Sequence, residues 1–120
     1  MAEHHITGEK GESLAAKYLQ EKGYVILETN WNFKSAEIDI IAQHNDILII
    51  VEVKTRKSNY FGEPEEWVTK QKQKHLIKAA QGYIEKNNLT MEARFDIVSI
   101  ILGRDKYQIN HICDAFYPLL

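Results

Sequence analysis

The chain has 120 residues, 44% hydrophobic and 27% charged, which suffices for one buried core and argues against disorder. A formal charge of −2 excludes a uniformly basic coat, although a local basic patch can still meet nucleic acid. Cys113 is the only cysteine, which precludes an intramolecular disulfide and a multi-cysteine zinc site and fits a reducing, cytoplasmic setting.

The first ten residues carry no apolar signal core, and the longest apolar run, Ile47 to Val51, is far too short to span a bilayer. His4-His5 reads as a frayed terminus rather than a metal site. From there Thr7 is expected to cap a helix reaching Lys22, with Gly23 as its left-handed stop. Strands follow at Tyr24–Asn30, Ala36–Gln43 and Ile47–Lys54. The third is apolar on both faces until Glu52, the mark of a central strand covered on both sides. Thr55 to Glu66, with Gly62 and Pro64, reads as a long loop. A second helix spans Thr69–Asn87, and strands at Arg94–Leu102 and Tyr107–Ile112 flank a Gly103-Arg104-Asp105 turn. The order αβββαββ specifies an α/β domain over residues 1–120 with a mixed sheet carrying helices.

The second and third strands hold the chemistry. A two-residue turn at Asn45-Asp46 puts His44 opposite Ile47 and, counted back along both strands, Asp39 opposite Glu52. Leu48, Ile50, Glu52, Lys54 and Arg56 then share one face. Opposed carboxylates repel, and a charge in an apolar strand is costly, so a cation must offset it. Lys54 is one candidate; Mg²⁺ or Mn²⁺ held by hard oxygen ligands is the other. A solvated sheet face is the structural alternative.

The helices carry further charges. Gly11, Leu14, Ala15, Tyr18, Leu19 and Lys22 form the inner stripe of the first helix, with Glu12 at its edge, able to reach the sheet rim. On the second, Leu76, Ala79, Ala80, Tyr83 and Ile84 point inward, and Lys72 lies on their line. A cation there needs an anion to meet. Lys70, Lys74 and Lys78 form an outer stripe. Arg56 and Lys57 stand near Tyr60 and Phe61, a basic and aromatic mixture suited to phosphates and bases.

These residues carry a resemblance. Gly8-x-x-Gly11-Glu12-x-x-Ala15, Glu37-Ile38-Asp39-Ile40-Ile41-Ala42, Val51-Glu52-Val53-Lys54-Thr55-Arg56, Val68-Thr69-x-x-Lys72, Arg94-Phe95-Asp96 and Ala115-Phe116 occur in the order seen in the YraN family of bacterial proteins. That family resembles archaeal Holliday junction resolvases within the PD-(D/E)xK nuclease superfamily. Ala36 departs from the family's usual glycine.

The resemblance implies a restriction-endonuclease-like fold and metal-assisted phosphodiester hydrolysis of nucleic acid, DNA first and branched or junction DNA among its forms. It implies Asp39 and Glu52 as metal ligands, helped by the Val53 carbonyl. Glu12 would bind a second metal or orient its water, and Lys54 would serve the attacking water. Lys72 falls near where some members place a cation; with Arg56, Lys57, Lys70 and Lys74, the basic positions read above from the residues themselves, it makes up the expected set of nucleic-acid contacts. Resolvase relatives act as dimers, so a homodimer is admitted; no membrane partner is. Two other readings stand beside the nuclease: a binding module that keeps the fold without cutting, and an interaction protein whose acids pair with Lys54 and Lys72.

Overall fold

The computed structural model describes residues 2–57 and 68–116, with side chains from residue 8 onward. His4 and His5 lie within the first helix, but their side chains, that of Thr7, and the loop residues Tyr60, Phe61, Gly62 and Pro64 lie outside the described residues.

Helix α1 spans Ala2–Glu21, strands β1 Val25–Phe33, β2 Ala36–His44 and β3 Ile47–Lys57, helix α2 Lys70–Lys86, and strands β4 Glu92–Leu102 and β5 Tyr107–Phe116. The expected order αβββαββ is therefore present. The strands form one sheet in the order β1-β2-β3-β4-β5, with β3 and β4 parallel and every other pair antiparallel. The parallel pair requires a crossover, and α2 lies within it.

The helices cover opposite faces. Ile38, Leu48, Ile50 and Phe95 pack with Leu76, Ala79, Ala80 and Tyr83 of α2. Ile40, Ile49, Val51, Val98 and Ile100 pack with Ala15 and Leu19 of α1. In β3 every residue from Leu48 to Val53 is buried, as expected of a strand covered on both sides. Among the described residues, no helix is long and apolar enough to cross a membrane.

Local rules account for most boundaries. Gly23 ends α1 at φ +93°, and Tyr24 N–H donates back to Leu19 O at 2.9 Å. Asn45 and Asp46 both have positive φ (50° and 66°), the mirror-image turn that suits a two-residue hairpin. Thr69 caps α2, its hydroxyl accepting from Lys72 N–H at 3.1 Å. Gly11 is buried where α1 meets β3, and a Cβ there would come within 2.8 Å of Thr55 Cβ, so only glycine permits the approach.

Several expectations need correction, among them the end of β5, which runs past Ile112 to Phe116. The first helix begins at Ala2, so Thr7 lies inside it rather than at its cap. Lys22 is exposed beyond the end of α1, 5.9 Å from the Tyr18 ring, and is not part of the inner stripe. β1 continues past Asn30, which takes φ 50°, to Phe33, because Trp31 and Phe33 pack against the α2 side of the sheet. β3 continues through Thr55, Arg56 and Lys57, paired with Ile100, Ile101 and Leu102, because β4 offers a ladder that local composition cannot reveal. Ala36 causes no strain: the left-handed residue of its turn is Lys34, at φ 54°.

Candidate functional site

β2 and β3 pair from His44–Ile47 to Ile40–Val51, the register expected from the two-residue turn. There the ladder stops. β2 continues along β1 to Ala36, while β3 continues along β4 to Lys57. The two strands therefore part in a fork. Asp39 is the first β2 residue beyond the ladder, and its Oδ2 accepts the Val53 N–H at 2.8 Å. A side-chain carboxylate takes the place of a strand carbonyl, so Asp39 meets β3 through its carboxylate rather than as a ladder partner of Glu52.

Glu52 has the parity of Leu48 and Ile50, whose side chains pack on the α2 side. It is only 2% exposed. Its Oε2 lies 3.1 Å from Lys72 Nζ and 3.4 Å from Lys54 Nζ. The inward-facing lysine of the second helix has its anion. Glu52 Oε1 is buried without a hydrogen-bond partner among the described residues. An unsatisfied carboxylate oxygen of that kind carries a desolvation cost that a cation would remove.

Electrostatic stress extends to the α1 side. Burial pushes the Asp39 carboxyl up to about 8, and the neighbouring Glu52 and Glu12 carboxylates add to that, against the Val53 N–H. Burial also raises Glu12, with Glu37 next, although a hydrogen bond to Asp39 opposes the shift. Burial would lower Lys72, but Glu52 and Asp39 outweigh it and leave the ammonium favoured. Ligand oxygens of Glu12, Glu37 and Asp39 all lie within 4.8 Å of one another. An open cleft of about 360 Å³ borders Glu12, Asp39, Thr29 and Asn30. The donor set is entirely carboxylate oxygen, the chemistry of Mg²⁺ or Mn²⁺ rather than of a thiol-seeking metal.

Asp39, Glu52, Lys54, Lys72 and Glu12 are thus brought together from four elements. Lys70 and Lys74 are exposed on α2, away from the Glu52 ion pair. Lys57 is exposed at the end of β3, and Arg56 donates from Nη1 to the Thr55 carbonyl at 2.9 Å. Glu37 is the member that sequence reasoning missed. Its signal is the Glu-x-Asp spacing, which places two carboxylates on one side of an extended strand.

The stretch that builds this fork is also the stretch that identifies the chain. Residues 11–100, from the Gly11 contact through both forked strands and the α2 crossover into β4, match the model of the uncharacterised protein family UPF0102. The chain belongs to that family. A UPF0102 protein of Flavobacterium psychrophilum is 52% identical over 117 residues, 98% of each chain. UPF0102 proteins of Flavobacterium johnsoniae and Christiangramia forsetii are 47% and 46% identical, again over 98% of each chain. Membership bears out the YraN-like resemblance read from the motifs.

Proposed function

We propose that the protein is a divalent-metal-dependent endonuclease acting on nucleic acid in the cytoplasm, with DNA, and branched or junction DNA in particular, as its substrate. One observation carries this reading. A fully buried Glu52 oxygen has no hydrogen bond among the described residues, beside an Asp39 carboxyl that burial and like charge push up. An unpartnered buried carboxylate oxygen beside a carboxyl that holds its proton more tightly supports a site over a scaffold at this strand fork.

The residues fit Mg²⁺ or Mn²⁺: Asp39 and Glu52 would hold the ion with the Val53 carbonyl, and Glu12 a second one. When bound, the metal would supply a lowered water pKa and stabilisation of phosphoryl charge. The chain's own groups do the rest. Glu12 orients water at the cleft. The Lys54 ammonium, already within 3.4 Å of Glu52, positions the attacking water and steadies charge growing on the phosphate. Arg56, Lys57, Lys70 and Lys74 supply phosphate contacts away from the reacting centre.

The test is Mg²⁺-dependent cleavage of linear, nicked, branched and single-stranded substrates. Glu52→Gln and Lys54→Ala should abolish cutting. Lys54→Ala should leave nucleic-acid binding largely intact. Alanine at Lys70 or Lys74 should weaken binding and flatten its salt dependence by about one unit for each phosphate left without its lysine. Full cleavage by Lys54→Ala would sink the mechanism. The pairing of Glu52 with two lysines favours a second reading, a module that binds without cutting. Binding without cleavage of any substrate form selects it.

A further inference from the structure

Glu52 Oε2 is met by two ammonium groups of different origin. Lys54 stands two residues along the same strand, held by the β3–β4 ladder, with its side chain 21% exposed. Lys72 comes from the first turn of α2, and its side chain is 42% exposed. Thr69 fixes the Lys72 backbone through the cap; among the described residues the ion pair of its ammonium is with Glu52, and Asp39 and Glu37 add weaker attraction. The exposed part of its four-carbon stem opens a path to solvent, and exposed rotamers exchange within nanoseconds.

We propose that Lys72 is an internal counter-ion: it neutralises Glu52 when the fork holds no metal, and a divalent cation binding there displaces it toward a nucleic-acid phosphate. The inference rests on the metal-site reading above and adds a coupling to it. The vacant coordination is on Oε1, the atom that lacks a partner among the described residues, while Lys72 holds Oε2 of the same carboxylate. A cation entering at Oε1 would sit only about 5 Å from the ammonium, close enough for strong repulsion at low effective dielectric. Lys54 is less able to leave, because its side chain is the more buried of the two. Lys72 can swing outward, to the end of α2 where Lys70 and Lys74 are already exposed. Coupling of this kind is reciprocal: if metal frees Lys72 for phosphate, nucleic acid tightens metal by the same factor.

Calorimetric titration of the full chain with Mn²⁺ alone, in the absence of nucleic acid, tests the first half. Lys72→Met and Lys72→Gln should each bind Mn²⁺ about 3–10-fold more tightly than wild type, from removal of one competing charge. Lys72→Gln retains a hydrogen-bond donor for Glu52, so it serves if the methionine variant folds poorly. Lys78→Met, an exposed charge on the same helix, should stay within about twofold. The second half is read from binding of a labelled DNA duplex in Ca²⁺ and in EDTA. Metal should strengthen wild-type binding several-fold and Lys72→Gln binding by less than about twofold. Unchanged or weaker Mn²⁺ affinity in both Lys72 variants, with wild type binding the metal, overturns the counter-ion role and leaves the metal site standing. An undiminished metal effect on DNA binding in Lys72→Gln overturns the switch to phosphate. Failure of wild type and both variants to bind Mn²⁺ removes the metal-site reading itself.

Discussion

Asp39 and Asp96 are both carboxylates set into the same sheet, and their surroundings are opposite. Asp96 has a side chain with 0% exposure, yet it is caged by partners. Arg94 grips it with two N–H donors, Nε at 2.9 Å and Nη2 at 2.8 Å. His111 Nε2 lies at 2.7 Å, and the Asp114 N–H donates at 3.0 Å. Burial would raise its carboxyl, but His111, Arg94 and the Asp114 amide outweigh that and hold it down at about 2. Asp39 has one amide donor; burial raises its carboxyl, and Glu52 and Glu12 add to that rather than opposing it, so it is pushed up to about 8. Burial alone therefore does not distinguish a site from a scaffold; the sign of the partners does. The same comparison explains why Asp96, His111 and Cys113, whose ligand atoms lie within 4.8 Å of one another, form no open donor set. Asp96 Oδ2 is already taken by Arg94 and His111.

The largest expected effect breaks the cage. Asp96→Ala leaves the Arg94 guanidinium half-buried without its anion and should cost about 3–5 kcal/mol in urea unfolding; a loss under about 1 kcal/mol would remove the contrast. Next is the pH response of the two acids. The Asp96 carboxyl lies below its ordinary value of 3.8, so its stabilisation is complete above about pH 4 and is lost as pH falls toward 2, about 2–3 kcal/mol in all. The Asp39 carboxyl lies above 3.8, so the folded state holds a proton that the unfolded state releases, and metal-free stability declines as pH rises from about 4 to 8. Unfolding curves at about pH 2, 4 and 8, spanning both windows, should show a maximum near the middle one.

A smaller effect has the opposite direction from most substitutions. Asp39→Asn keeps an oxygen for the Val53 N–H and removes the repelled charge, so at pH 8 it should stabilise the metal-free protein by about 1 kcal/mol while abolishing stabilisation by Mn²⁺. Identical melting of wild type and variant, with and without Mn²⁺, would mean that the fork is no cation trap. The smallest is Tyr24→Phe, which removes the hydroxyl that accepts from Arg94 Nη2 at 2.9 Å. With the Asp96 bonds intact it should cost about 0.5–1.5 kcal/mol. A cost matching that of Asp96→Ala would mean that the cage stands or falls as one unit.

Much of this was legible in the residues themselves. The element order, the two-residue hairpin and the buried character of β3 follow from local pattern, because side-chain periodicity and turn chemistry act over a few residues. The same holds for the division of α2, where a 3.6-residue period turns Lys72 inward and Lys70 and Lys74 outward. The carboxylates of the fork were identifiable as types and spacings: Glu52 by its apolar flank, Asp39 by hairpin counting, Glu12 by its helix angle. Glu37 was legible only as a partner of Asp39 through the Glu-x-Asp spacing, because an exposed glutamate does not show which other carboxylates it will meet.

What tertiary structure alone decided is where pairing stops and which charges then face each other. The ladder ends at Ile40–Val51 because β1 and β4 draw the two strands apart, and that lets Asp39 take the Val53 amide. The extension of β3 to Lys57 depends on β4, more than forty residues away. The Asp96 cage depends on the irregularity opposite it in β5, where Asp114 at φ 57° turns its N–H inward. Local sequence sets the conformations each segment prefers. Whether a buried carboxylate ends beside an arginine or beside another carboxylate depends on groups from distant segments, whose long-range electrostatic and hydrogen-bond energies exist only after the chain has closed on itself.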